Sequence, residues 1–499
     1  MTSLDVEALT RLANQILHDS NGEPSPHGAA PSSATPTAAR AYVPASLPDS
    51  PAPGHQLPGD LSTPSFFDEV GATGHQGFYF APAAPELRTA SSSTQPDFDV
   101  HAVRREFPIL AERVHGKPLV WLDNAATTQK PRVVIDRLTE FYEHENSNVH
   151  RGAHTLAARS TDAYEGARAS VARFLGAQPS EIVWTRGTTE AINLVAQTWG
   201  RANIGRGDEI VVTHLEHHAN IVPWKLLADK VGARLRVVPV DDVGQVRLDA
   251  LPALLCERTK LIAVAQVSNA LGTVVPVEAF VAAARSVGAK VLIDGAQSVA
   301  HLAVDVTALD ADFFVFSGHK IFGPTGIGAL YAKSEILDAI PPWQGGGNMI
   351  RDVTFDSVQY ADPPTRFEAG TGNIADAVGL GAGLDWLSAL GLPAVAAYEH
   401  GLLEYATSGM ESVPGLRIIG TAPNKASVLS FDLAGQDPVE VGKALDREGI
   451  AVRAGHHCAQ PILRRYGYEA TVRASLALYN THAEIDHFVS VLHRIARRR

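Results

Sequence analysis

Cysteine is scarce: only Cys256 and Cys458 occur in 499 residues. Two thiols cannot build a disulfide scaffold, so a reducing compartment is the default. No apolar run approaches the roughly 18 residues that a membrane helix needs, which speaks against a membrane partner. The N-terminus also lacks the basic stretch followed by an apolar stretch that marks a secretory signal. Positive charge is in short supply, with 42 Lys and Arg against 54 Asp and Glu and a net charge of -12. That balance disfavours nucleic acid as a partner. These absences predict a soluble, cytoplasmic protein whose length allows two or more domains and a large core.

The first 98 residues lack lysine and tryptophan altogether, yet hold 13 of the 31 prolines, ten acids and three arginines. Such a segment buries too little apolar surface to offset the entropy of ordering it, so residues 1–98 are expected to form a largely disordered extension. Two islands stand out. Leu4, Leu9, Leu12, Ile16 and Leu17 fall at helical spacing in residues 3–18, with Ser3 as an N-cap candidate and Gly22 just beyond. Residues 66–82 carry Phe66, Phe67, Phe78, Tyr79 and Phe80. These islands either dock on the protein's own body or act as short motifs for a partner's groove, and the long linker between them favours the second.

From Asp99 the composition becomes globular. Continuous apolar runs alternate with helical patterns: Glu181–Thr185, Glu209–Thr213, Leu261–Val264, Val291–Asp294 and Phe313–Phe316. Short, fully apolar runs followed by polar or glycine-rich turns are the signature of buried parallel strands in an α/β sheet. Ligands in such sheets collect at the carboxyl ends of the strands.

Three of those ends carry chemistry. Arg186-Gly187-Thr188-Thr189-Glu190 opens a helix, where hydroxyls and free amides either cap it or cradle a phosphate. Asp294 closes an apolar strand, where a carboxylate either satisfies a turn or stays ionised against a cation such as a pyridinium nitrogen. Lys320, in Ser317-Gly318-His319-Lys320, is costly to bury unless its amine is used chemically, as in a Schiff-base linkage. Together these are the equipment for pyridoxal 5'-phosphate.

Longer segments carry a family resemblance. They are Leu122-Asp123-Asn124-Ala125-Ala126, Asn148-Val149-His150-Arg151-Gly152, Arg186 to Glu190 and Glu216-His217-His218-Ala219-Asn220. Further along come Asp294-Gly295-Ala296-Gln297, Ser317 to Lys320, Phe367-Glu368-Ala369-Gly370-Thr371, Arg453-Ala454-Gly455-His456-His457-Cys458 and Arg473-Ala474-Ser475. In this order, residues 101–499 resemble a group II (SUF-type) cysteine desulfurase of the class V aminotransferase superfamily. The resemblance implies a PLP-dependent transferase of fold type I. Residues 99–365 would form an N-terminal segment and a large domain with a mostly parallel central sheet. Residues 366–499 would form a smaller α+β C-terminal domain carrying the nucleophilic cysteine.

The resemblance also implies roles. Lys320 would hold the cofactor and move the substrate Cα proton, Asp294 would pair with the pyridinium nitrogen, and Gln297 would bond the ring's phenolic oxygen. His217 would stack on the ring and help shuttle protons, and Asn269 would touch the ring's side. Thr188, Thr189, Ser317 and His319 would hold the phosphate, with Thr371 reaching in from the second subunit of a homodimer. Arg473 and Arg453 would bind the substrate carboxylate, and Asn148 belongs to the same substrate set.

Cys458 falls where the family places its nucleophile. It would take sulfur from L-cysteine as a persulfide, release L-alanine and pass the sulfur to an acceptor protein for iron–sulfur cluster assembly or sulfur storage. The neighbouring histidines and arginine are expected to favour its thiolate. Cys256, in the helical-looking Leu254-Leu255-Cys256, reads instead as a small buried hydrophobe. A metal site at His456, His457 and Cys458 lacks companion ligands at workable spacing. The extension resembles the cargo-loading segments of desulfurases packaged in encapsulin shells. The competing readings are a selenocysteine lyase or kynureninase-like enzyme of the same fold, and a catalytically idle cargo or scaffold protein. The intact lysine, aspartate, cysteine and arginine set argues against the last.

Overall fold

The computed structural model describes residues 98–150 and 152–497. Nearly all of the 1–98 extension, with its 3–18 and 66–82 islands, lies outside the described residues, as does Arg151.

All five apolar runs form strands of one seven-stranded sheet. In chain order the strands are β1 (Ile182–Thr185), β2 (Glu209–Thr213), β3 (Arg234–Val238), β4 (Thr259–Ala265), β5 (Lys290–Asp294), β6 (Phe313–Ser317) and β7 (Gly328–Ala332). Their spatial order is β1-β7-β6-β5-β4-β2-β3. Every pairing from β6 to β3 is parallel, and only β7 runs antiparallel to its neighbours. The side chains of Phe313, Phe314, Val315 and Phe316 are all fully buried, because helices cover both faces of the sheet. Each such side chain is worth roughly 1.5–3 kcal/mol of transfer free energy.

Register decides what meets at the carboxyl edge. Ala265 of β4 lies opposite Asp294 of β5, and Asp294 lies opposite Val315 of β6. Gly328 of β7 sits between Thr185 and Ser317, so the segment after β1 meets the end of β6. That approach requires glycine: a Cβ on Gly328 would come within 2.6 Å of the Gly187 Cα.

Helix α1 (Thr155–Leu175) ends on Gly176 in the left-handed conformation, a common helix stop. It packs against α2 (Ile374–Leu390) beside the large sheet. A second, antiparallel sheet has the order β8 (Leu416–Ile419), β9 (Val428–Leu433), β11 (Thr471–Ser475), β10 (Arg453–Gly455). Residues 120–121 pair in parallel with residues 450–451, which draws the Leu122–Ala126 segment against this sheet. The mostly parallel sheet joined to a smaller α+β part is the arrangement expected of fold type I. Among the described residues, no single helix is long and apolar enough to cross a membrane.

Candidate active site

A cavity of about 510 Å³ opens where the carboxyl ends of β4, β5 and β6 face β10 and β11. Lys320, Asp294, His217, Asn269, Gln297, Thr188, Thr189, Ser317, His319, Arg453, Arg473 and Cys458 all line it. Asn148 and Thr371 do not. They are exposed and lie together in a separate cleft beside Gly370 and Asn348. The start of that loop is pinned by Glu368, which accepts two N–H groups from buried Arg168 at 2.7 and 3.0 Å and the Trp184 N–H at 2.8 Å.

One wall of the cavity is a cradle. The helix Thr188–Val195 starts after Gly187, whose φ of 143° is rarely open to other residues. A Cβ there would stand 2.9 Å from the Ser317 Oγ. Ser317 Oγ in turn accepts the Thr188 N–H at 2.9 Å and shares a hydrogen bond with its hydroxyl. The remaining amides of the first turn suit an anion. His319 lines the same wall, its pKa lowered to about 4 by burial and by the Lys320 and Lys130 charges.

The opposite ends carry unbalanced charge. Asp294 is buried, and among the described residues the one hydrogen bond to its carboxylate comes from the Ala296 N–H at 2.9 Å. Burial raises its pKa, with the Ala296 bond and Lys320 opposing. Lys320 has no hydrogen-bond or ion-pair partner among the described residues, and burial lowers its pKa against the pull of Asp294. Both groups lack a counterpart that a cationic ring nitrogen and an aldehyde would supply.

His217 Nδ1 accepts the Ala219 N–H at 3.0 Å, so its proton sits on Nε2. Burial, then the charges of Lys320, His218 and Arg473, lowers its pKa to about 3. It is therefore a neutral ring with a donor to spare and carries no imidazolium proton at neutral pH. Gln297 Nε2 gives one hydrogen to the Ala125 carbonyl at 2.7 Å and keeps a second.

Arg473 is buried and its pKa is lowered to about 10 by burial. Its Nη1 donates to the Asn269 carbonyl at 2.9 Å and its Nη2 to Asp123 at 3.3 Å, while its Nε is buried without a partner among the described residues. Arg453 donates from Nη2 to Asp123 at 2.8 Å. Asp123 was visible in the sequence only as part of a motif, with no role. Glu216 was missed in the same way. It is fully buried and accepts from Thr213 Oγ1 and Asn220 Nδ2 at 2.6 Å and from the Ala265 N–H at 2.9 Å. Burial raises its pKa to about 8. The signal that could have found it is an acidic residue adjoining the His217-His218 pair just after a β-strand.

Two expectations are corrected. Cys256 is exposed, not buried. The 3-10 turn Pro252–Leu254 ends before it, and Leu251 and Thr259 take the inward positions of that loop. The histidines beside Cys458 do not both add positive charge. His457 is buried, bonded to Thr471 Oγ1 at 2.8 Å, and its pKa is lowered to about 3, chiefly by burial. Lys320, Arg453 and Arg473 line the same cavity as Cys458. The His456 and His457 rings also diverge, one packing on His218 and the other reaching Thr471.

The residues fit pyridoxal phosphate. The Gly187 cradle suits the phosphate, buried Asp294 suits a ring cation, and Lys320 and Asn269 line the same cavity. Fold and site together define a PLP-dependent enzyme of fold type I. Comparison with known proteins agrees. Residues 120–488 match the aminotransferase class-V family. The chain is 55% identical to a cysteine desulfurase of Synechococcus elongatus over 99% of its length and 86% of that protein. It is 54% identical to a cysteine desulfurase of Dickeya dadantii over 80% of its length and 97% of that protein. The crystal structure of the Escherichia coli cysteine desulfurase CsdA (S-sulfonic acid) superposes with a TM-score of 0.75 at 40% identity, covering 80% of this chain and 99% of that one. The chain belongs to the class-V aminotransferase family, as one of its PLP-dependent cysteine desulfurases.

Proposed function

We propose that this enzyme takes the sulfur of L-cysteine onto Cys458, releases L-alanine and passes the sulfur to a separate acceptor protein, as in the group II (SUF-type) branch. The observation that carries this reading is the position of Cys458: exposed, yet lining the same cavity as Lys320. Pyridoxal phosphate, when bound, supplies the electron sink that makes the substrate Cα proton removable and the Cβ–S bond weak. Thr188, Thr189, Ser317 and His319 would hold its phosphate, Asp294 its ring nitrogen and Gln297 its ring oxygen, while His217, as a neutral imidazole, and Asn269 would contact the ring.

Lys320, free of partners and depressed in pKa, is poised to take the Cα proton and return it. Arg473, which lines the cavity, would bind the substrate carboxylate, and Arg453 would complete the clamp from the loop side. The Cys458 thiolate bonds to the substrate sulfur as the Cβ–S bond breaks, and the electron pair of that bond returns to the carbon skeleton. Protonation then gives alanine, and Cys458 is left as a persulfide. Arg453 and Arg473 supply positive charge around the attacking sulfur.

We also propose a homodimer in which Thr371 and Asn148, exposed and outside their own cavity, complete the partner's site. The test of the reaction is an alanine and sulfide assay with cysteine, run beside selenocysteine. Stoichiometric alanine, with sulfide appearing only after a reductant is added, supports the persulfide route.

Residues 1–98 we propose as a targeting segment for an encapsulin shell. Its composition supports this, and so does the pattern of relatives: the Synechococcus protein matches 99% of the chain, the Dickeya protein 80% at nearly full length. These lengths support a catalytic part that is separable from the extension. Fusing residues 1–98 to an unrelated soluble protein should load it into a co-expressed encapsulin shell. Failure of that fusion to load, while the enzyme lacking residues 1–98 still co-purifies with the shell, overturns the targeting role.

A further inference from the structure

The loop that carries Cys458 has an uncommon backbone. His457 and Cys458 have φ of 52° and 53°, so two consecutive non-glycine residues occupy the left-handed region. Such a conformation persists only where its surroundings hold it. One residue outside the cavity supplies two of the ties. The His218 N–H donates to the Cys458 carbonyl at 2.8 Å, and the Gln460 N–H donates to His218 Nε2 at 3.3 Å. The His218 ring also packs on that of His456, with centroids 5.7 Å apart and planes 32° apart. His218 therefore touches residues on both sides of the thiol.

We propose that His218 is a positioning residue, which holds the Cys458 loop in the arrangement that presents the thiol to the cavity. The Gln460 amide opens the helix Gln460–Arg465 and has no carbonyl of its own helix to bond, so the imidazole acceptor fixes where that helix begins. Burial, then the nearby His456, lowers the His218 pKa, which keeps Nε2 free to accept. His218 adjoins His217, so a single short segment sets both the ring-stacking group and the sulfur-accepting loop.

The proposal rests on Cys458 as the sulfur acceptor, so its test includes a reading that does not. The holoenzyme is treated with iodoacetamide, and alkylation of Cys458 is followed by peptide mass spectrometry, with exposed Cys256 as the internal reference. Single-turnover alanine release is measured in parallel. His218→Ala and His218→Phe both lose the acceptor, while Phe keeps an aromatic ring against His456. His218→Gln keeps an acceptor near the Nε2 position. Loss of one neutral hydrogen bond predicts about a fivefold change in Cys458 alkylation relative to Cys256, with a similar slowing of single turnover, in Ala and Phe. Gln should recover most of both, and the visible band and dissociation constant of the cofactor should stay near wild type in all three. Unchanged alkylation in Ala and Phe overturns the proposal. So does an equal loss of cofactor affinity in all three variants, which would place His218 in cofactor binding. Changed alkylation with unchanged turnover would sustain the loop tie and count against Cys458 as the nucleophile instead.

Discussion

Arg453 and Arg473 lie directly opposite each other across β10 and β11, with the Asp123 carboxylate bonded to both. Like charges facing across strands destabilise a sheet unless a counter-charge sits between them. Asp123 is that counter-charge, and both arginines line the cavity. On the proposed reading the pair would clamp the substrate carboxylate, with Asp123 bracing both arginines.

Asp123→Asn should loosen the clamp without emptying the cofactor site. A hydrogen bond to a charged group contributes about 1.5–3 kcal/mol, so KM for cysteine should rise roughly tenfold or more. Steady-state alanine release checks this, with the visible cofactor band as the reference. An unchanged KM would remove Asp123 from substrate binding.

Lys320→Ala should abolish the visible band of the lysine-linked cofactor in the purified protein. Alanine release should fall by at least about a hundredfold, the ordinary scale for losing a general base. A band identical to wild type would put the linkage on another lysine.

Cys458→Ser should still show a spectral change on adding cysteine, because the residues that hold substrate and cofactor remain. Its alanine release should fall close to zero. Cys256→Ser, outside the cavity, should keep full activity. Normal alanine release from Cys458→Ser would reassign the sulfur acceptor.

A pH effect on stability is expected at a pair that does not line the cavity. His301 Nδ1 lies 2.6 Å from Glu399 Oε2, and both side chains are largely buried. Burial works against the charged imidazole, but the Glu399 carboxylate outweighs it and raises the His301 pKa above 6.5. A raised folded-state pKa gives stability that is complete below the unfolded value and fades as pH climbs through the folded value. Breaking a buried pair costs about 3–5 kcal/mol. The gap in Tm between wild type and His301→Asn should therefore narrow as pH rises above about 6.5. A gap that is constant across that range would show that the pair is not ionic.

Much of the architecture was legible because parallel strands buried on both faces read as continuous apolar runs. The five quoted runs all became strands of the large sheet. Lys320 and Asp294 were legible for a related reason: a charged side chain at the end of an apolar strand is costly and needs a use. Cys256 was misread because its burial depends on how the loop before β4 turns, and periodicity carries no record of that. Asp123 stayed mute because its partner Arg453 is 330 positions away. Only the pairing of residues 120–121 with 450–451 brings them together.

The chain by itself determined the kinds of group available: a lysine and an aspartate at strand ends, glycines beside a helix start, and a thiol among histidines and arginines. Those follow from local pattern, since side-chain period and turn chemistry act over a few residues. Tertiary structure alone decided which groups face one another. It set Arg453 against Arg473 around Asp123, turned His457 to Thr471 while His456 packed on His218, and tied His218 to the Cys458 carbonyl. The physical reason is register. Contacts between distant strands and loops are fixed by how whole layers pack, and a short stretch of sequence holds no information about the layer it will meet.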